Sequence, residues 1–175
     1  MKRSTLLVIA TSLCSVCCVG QNSSATIAEK VPAHAPAFSI RVTTHEGPIH
    51  LGSPITAIVT VTNVSGKELY MQSNRGKDAA YKDFSIVLTK NEREVKTTFF
   101  KRKISGKQLP DDPQEVEDGS SIALPYPPGR MFVMTIDLER LYEITEPGLY
   151  KVDVNRLDDY SKTVVHSNTA IVKIE

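Results

Sequence analysis

The stretch from Asp137 to Val154 constrains the fold more than any other part of this chain. It reads as the end of one strand, a crossing, and the start of the next strand. Pro147-Gly148 supplies the turn, because Pro fixes φ and Gly accepts a positive φ without steric cost. Beyond it, Tyr150, Val152 and Val154 alternate with Lys151 and Asp153, the period of a half-buried strand. A Tyr just past such a crossing, two residues before an inward core position, has the pattern of a tyrosine corner, whose phenol ties the crossing to its own backbone. Pro147, Gly148 and Tyr150 are therefore read as a structural corner. The Tyr150 ring is expected beside Val152, with its hydroxyl on a backbone group between Glu143 and Gly148. Tyr142, earlier in the same crossing, competes for that role.

The same alternation recurs along the chain. Phe38, Ile40 and Val42 make one inward face. Ile55, Ala57, Val59 and Val61 make a second, in a segment rich in β-branched residues. Asn63-Val64-Ser65-Gly66-Lys67 is a turn into Leu69-Tyr70-Met71. Phe84, Ile86 and Leu88 form a strand, and Val95, Thr97 and Phe99 are expected to return it after Lys90-Asn91-Glu92-Arg93. Residues 101 to 118 form the longest irregular stretch. Ile122 and Leu124, then Phe132, Met134, Ile136 and Leu138, and finally Ala170, Val172 and Ile174 complete the set. A helical turn between Leu138 and Ile144 is compatible with the spacing. Short alternating segments separated by turn signals predict an all-β fold, an antiparallel β-sandwich of about seven to nine strands.

The first twenty residues read differently. A basic start, Lys2-Arg3, precedes an apolar run from Leu6 to Val19, the length of a signal-peptide core and short for a membrane span. Cleavage is expected after Gly20, leaving Gln21 first and no transmembrane segment in the mature chain. Lipidation at Cys18 is the competing outcome, although Val16 stands where a lipobox wants a small residue. Residues 21 to 37 carry Ala, Pro and Ser without periodicity and read as a flexible tether, so the sandwich spans residues 38 to 175. The expected location is secreted or periplasmic. Cys14, Cys17 and Cys18 all lie in the leader, so the mature chain would hold no thiol or disulfide. Loss of Lys2 and Arg3 takes the formal charge from +1 to −1. That near-neutral balance argues against nucleic acid as a partner.

Thr60-Val61-Thr62-Asn63-Val64-Ser65-Gly66 resembles the hairpin between the second and third strands of many extracytoplasmic immunoglobulin-like domains in bacteria. Together with Asp137-Leu138, Leu141-Tyr142, Pro147-Gly148-x-Tyr150 and Ser167-Asn168-Thr169, it is similar to a recurrent class of small, secreted, uncharacterised bacterial proteins. The resemblance implies an immunoglobulin-like sandwich and brings no catalytic residue. The Cys–Trp–Cys signature of antibody domains is missing, so the likeness is one of architecture. A weaker likeness, through Thr62-Asn63 and Pro147-Gly148-x-Tyr150, is to the intracellular proteinase inhibitor domain. The leader departs from that family, and no reactive loop matches.

The candidate chemistry is sparse. His45 and His50 flank Glu46-Gly47-Pro48, a turn that forbids the helical His spacing of a zinc site. Met131 and Met134 are three apart on one strand and point to opposite faces. The acidic run Asp111, Asp112, Glu115, Glu117 and Asp118, broken by Pro113, matches no EF-hand. No cofactor, metal site or enzymatic activity is expected. Between Lys90 and Lys107 seven cations face two glutamates. Lys96, Lys101, Arg102, Lys103 and Lys107 are read as a surface for a protein with an acidic face, against the plainer reading of charges that guard a sheet edge or pair locally. The functional expectation is a non-enzymatic extracytoplasmic binding or scaffold module. The alternative is a proteinase inhibitor acting through the stretch from 101 to 118.

Overall fold

A computed structural model describes residues 35–74, 78–113 and 120–175. The leader, the tether up to residue 34, the three cysteines and residues 114–118 of the acidic run lie outside the described residues. In chain order the elements are β1 (Phe38–Thr44), β2 (Pro48–Ile49), β3 (Thr56–Asn63), β4 (Leu69–Asn74), α1 (Ala79–Asp83), β5 (Ser85–Lys90), β6 (Arg93–Glu94), α2 (Phe99–Ile104), β7 (Ser121–Tyr126), β8 (Met131–Asp137), β9 (Gly148–Asp158), β10 (Thr163–His166) and β11 (Ala170–Ile174). The expected seven to nine strands become eleven among the described residues, because β2 and β6 are two-residue pieces and the last strand is split into β10 and β11.

One sheet has the order β1-β3-β8, and the other β2-β11-β9-β5-β6 with β10 also on β9. All pairings are antiparallel except β2 with β11. Leaving aside the ribbon and the short pieces β2, β6 and β10, the first, second and fourth strands (β1, β3, β8) thus share one sheet, and the third, fifth and sixth (β5, β9, β11) share the other. That is the strand order of an immunoglobulin-like sandwich. A separate two-stranded ribbon joins β4 to β7.

The alternation seen in the sequence is what builds the core. β1, β3 and β9 bury every second residue, and Val42, Val59, Leu88, Ile136, Val152 and Val172 meet between the sheets at 1% exposure or less. Each such side chain contributes roughly 1.5–3 kcal/mol on leaving water. Polar side chains then fasten the sheets together. Asp158, fully buried, accepts the Ala37 N–H at 2.7 Å and the Ser161 hydroxyl at 2.7 Å, and the Tyr160 N–H at 3.0 Å. Burial works against its charge, yet these donors hold its carboxyl below the usual value. Asn168 accepts from the Val42 N–H and donates to the Val42 carbonyl, both at 2.9 Å, so its amide replaces a neighbouring strand along β1.

Three expectations are corrected. The strand through Val95, Thr97 and Phe99 ends at Glu94. Only the Val95 N–H to Leu88 carbonyl bond (2.9 Å) and a bridge between Thr97 and Tyr142 continue it. Thr98 then caps α2, its hydroxyl accepting the Lys101 N–H at 3.2 Å. Phe100 packs edge-on against Tyr81, with the Arg140 guanidinium 4.0 Å from its ring centre. Tertiary packing here overrides a strand-like pattern. Secondly, Leu69-Tyr70-Met71 does not pair with β3 as a hairpin partner but with β7. Asn63 is the cause. Its amide donates to the Lys67 carbonyl at 2.7 Å and the Tyr126 carbonyl at 2.6 Å, its oxygen accepts the Ser65 N–H at 3.0 Å, and Gly66 takes φ +69°. The turn therefore leads out of the sheet towards the ribbon. Thirdly, Phe132 shares the inward face of β8 but is 47% exposed, since it stands at the open end of the sandwich beside Met71, Leu124 and Arg156.

Candidate contact surface

The five cations singled out in the sequence lie on and beside α2, but the fold uses them unequally. Lys101 points inward, half-buried. Its ammonium donates to the Ile86 carbonyl at 2.8 Å and lies 5.8 Å from the centre of the Tyr142 ring. Burial pushes its pKa down, against the pull of Glu94. Arg102 clasps Asp112 with two parallel bonds, 2.9 and 2.7 Å, and reaches the Thr97 carbonyl at 2.6 Å. Asp112 also accepts the Leu109 N–H at 2.8 Å. The Arg102 guanidinium, then that N–H, hold the Asp112 carboxyl down at about 2. Lys96 pairs with Glu143 at 2.7 Å on the open surface. Lys103 is half-buried on the last turn of α2, and Lys107 is exposed just beyond it.

Between β5, β6 and α2 runs a groove of about 480 Å3, lined among others by Ser85, Glu94, Thr97, Lys101, Arg102 and Lys107. Its charge is mixed but cation-rich. The Arg102–Asp112 clasp folds the segment after α2 back onto the helix, so the part of the 101–118 stretch that is described begins as helix and continues as a pinned turn.

The corner has the following geometry. Tyr150 is 2% exposed, and its hydroxyl donates to the Glu146 carbonyl at 2.6 Å. Pro147 lies exposed at the turn. Gly148 adopts φ +148°, where an added Cβ would sit 2.8 Å from Lys90 Cε. The Lys90 ammonium lies 5.4 Å from the Tyr150 ring centre and 2.7 Å from the Glu146 carboxylate, which raises its pKa. Tyr142, 1% exposed, donates to the Ile86 carbonyl at 2.7 Å, so the two tyrosines fasten different things: one the crossing, the other the edge of β5. Burial, with Glu94 nearby, raises the Tyr142 phenol pKa strongly. Its role had no local sequence signal, since its acceptor lies 56 residues earlier.

His45 and His50 line a shallow hollow with Pro48, Ser53 and Pro54, and among the described residues no three His, Cys, Asp or Glu side chains converge on a metal-sized site. Met131 is 62% exposed and Met134 8%. No helix among the described residues is long and apolar enough to cross a membrane.

No protein-family model and no curated protein matches this chain. Solved structures that superpose on it include the CARDB domain of a Pyrococcus furiosus protein, at 12% identity over 80% of this chain and 97% of that one, with a TM-score of 0.37. A β-glucosidase from Listeria innocua in complex with isofagomine superposes at 17% identity over 79% of this chain, with a TM-score of 0.40. This chain spans only 16% of that enzyme's length. The fold assignment rests on the strand order itself: an all-β, antiparallel, immunoglobulin-like sandwich.

Proposed function

We propose that this chain is a non-enzymatic extracytoplasmic binding or scaffold module. In this reading residues 1–20 are removed on export, residues 21–37 form a tether, and the sandwich from residue 38 presents the flank of α2 to an acidic protein surface. The observation that carries the reading is the cation-rich groove beside β5, with Lys107 at its exposed rim and Lys96 and Lys103 on the adjoining surface. Lys101 and Arg102 contribute shape and field, while their charged ends are engaged by Ile86 and Asp112. Rim charges of this kind govern association rate and salt sensitivity more than total affinity.

The test compares the wild-type chain with the triple charge reversal Lys96→Glu, Lys103→Glu, Lys107→Glu as bait in the native envelope or medium. A partner held by the wild type at low salt, released by salt and lost from the reversed chain is the expected result. Equal recovery by both chains refutes the surface assignment. Intact mass of the exported protein checks the location: a chain beginning near Gln21 is expected, and one that retains Met1 or carries lipid on Cys18 contradicts it.

A further inference from the structure

Cations that share a hollow repel one another, and burial strips them of water, so a group of them is costly unless an anion compensates it. One hollow of this fold gathers three. Where α1 and α2 flank the start of β5 and the last residues of β9, a cavity of about 250 Å3 is lined by Lys82 of α1, Lys101 of α2 and Arg156 of β9, all half-buried. Asp83 is the acid among the lining residues, and Ser85 and Asn155 supply neutral donors.

The contacts these groups make inside the chain leave donors over. An ammonium has three N–H groups. Among the described residues that of Lys101 makes one hydrogen bond, to the Ile86 carbonyl at 2.8 Å, with the Tyr142 ring centre 5.8 Å away. The Arg156 guanidinium lies 5.2 Å from the centre of the Phe84 ring, and the Asp83 carboxylate accepts the Ser73 hydroxyl at 2.7 Å. Burial lowers the pKa of both Lys101 and Arg156. Glu94 pulls the other way on Lys101, and Asp83, Asp159 and Tyr126 do so on Arg156, without making up the loss. Ser85 and Asn155 stand directly opposite each other in the β5–β9 ladder, so their side chains share one face of the sheet. Among the described residues neither the Ser85 hydroxyl nor the Asn155 side-chain amide makes a hydrogen bond.

We propose that this hollow binds a phosphate monoester group, free or carried on a small organic molecule, held by Lys82, Lys101 and Arg156 with Ser85 and Asn155 donating to its oxygens. Charge selects the class. Three cations less one acid leave the lining with a formal +2, which a phosphate group at about −1.5 to −2 balances and a carboxylate does not. Geometry agrees. The cations come from three different elements, so donors approach from several sides, as the oxygens of a tetrahedral anion require; a planar carboxylate is served by a single fork. Size limits the body of the ligand. The volume lies below the roughly 300–1,000 Å3 of a drug-sized pocket, so it suits a small molecule whose apolar part rests on Phe84 and Ile104. The hollow shares Lys101 with the groove assigned above to an acidic protein, but Lys96, Lys103 and Lys107 lie outside its lining. The site therefore does not depend on that assignment.

Titration of the purified protein with sodium phosphate at constant ionic strength, followed by amide and Arg156 Nε–H resonances, tests it. Saturable shifts at Ser85, Asn155 and Arg156, half-complete at about 1 mM or below, are expected. Shifts that never saturate, or that saturate elsewhere on the surface, overturn the proposal. Acetate should bind at least about tenfold more weakly, and equal binding refutes the phosphate class. Phenyl phosphate identifies the source: tighter binding than inorganic phosphate supports an organic ester, and equal binding supports the free ion. Arg156→Gln and Lys101→Gln should each weaken phosphate by about tenfold or more, as loss of a charged hydrogen bond does, while Arg156→Lys keeps the charge and should recover part of it. Unchanged affinity in a folded Arg156→Gln protein overturns the proposal. Should that variant fail to fold, Ser85→Ala decides, since Ser85 is exposed: a loss of roughly threefold is expected, and none refutes the site. The triple reversal Lys96→Glu, Lys103→Glu, Lys107→Glu should keep phosphate affinity within about threefold at physiological salt, which screens distant charges. A loss as large as that of Arg156→Gln would place the anion in the groove instead and overturn the proposal.

Discussion

The Ile86 carbonyl receives two side-chain donors, the Tyr142 hydroxyl at 2.7 Å and the Lys101 ammonium at 2.8 Å. Tyr142→Phe keeps the ring in the core and leaves Lys101 on the acceptor, so it loses one neutral hydrogen bond, roughly 0.5–1.5 kcal/mol net. Lys101→Met leaves Tyr142 in place. It also relieves a half-buried ammonium whose pKa burial has lowered, so its cost should be similar or smaller. The double variant strands a buried carbonyl, whose penalty is about 1–3 kcal/mol. The double change should therefore cost about 1 kcal/mol more than the sum of the singles, well outside the 0.3–0.5 kcal/mol scatter of roughly additive pairs. Urea unfolding of the four proteins measures this, with the slope checked for constancy. Additivity would mean that the carbonyl finds water when both donors leave, and the edge of β5 is then not sealed as described.

Four other outcomes follow from the same geometry. Tyr150→Phe should lower the urea midpoint by the equivalent of roughly 0.5–1.5 kcal/mol, since the Glu146 carbonyl can rehydrate at the surface, and Tyr150→Ala by about 3–5 kcal/mol through the cavity it leaves; no change on Tyr150→Phe would deny the corner bond any role. Asn168→Ala should cost about 1–3 kcal/mol by removing both bonds to Val42, and Asn168→Asp should be no better, because its second oxygen would face the Val42 carbonyl. Gly148→Ala should cost about 1–3 kcal/mol at its φ of +148° and displace Lys90 from the Tyr150 ring, visible as a shift of the ring proton resonances. The Asp112 carboxyl is depressed to about 2, so the support it gives is complete above the unfolded value near 3.8 and fades as pH falls towards 2; Asp112→Asn should flatten the acid limb of the stability profile between those values.

What could be read from the sequence was whatever the chain states locally. Alternation at Phe38–Val42, Ile55–Val61 and Tyr150–Val154 places side chains on faces without reference to any neighbour, and burial in β1, β3 and β9 follows it. Pairing is not local. Leu69-Tyr70-Met71 follows a hairpin-like turn, yet the Asn63 amide, bonded to Lys67 and to Tyr126 sixty-three residues away, hands the strand to β7. Val95, Thr97 and Phe99 alternate like a strand, but the contact of Phe100 with Tyr81 and Arg140 makes the next residues helical. The basic run shows the same limit in electrostatic form. Lys101 and Arg102 look like equal members of a charged surface, and only the tertiary placement of Ile86 and Asp112 sets them apart from Lys107.

Edges are the extreme case. Nothing in Met131–Ile136 distinguishes an interior strand from a free one, since both are uncharged and alternating, and interior strands usually read this way. The difference lies in what the rest of the chain brings alongside: Asn168 beside β1, Lys101 and Tyr142 beside β5, and, among the described residues, the Tyr81 hydroxyl at the last residue of β8. An amide seals β1, and an ammonium with a phenol seals β5, while β8 carries no charge between Met131 and Ile136, so the β1-β3-β8 sheet is asymmetric at its two edges. The uncharged stretch of β8 is short, bounded by the Tyr81 hydroxyl of α1 at one end and the Pro127–Arg130 turn at the other, and a short edge is itself a guard against open-ended pairing.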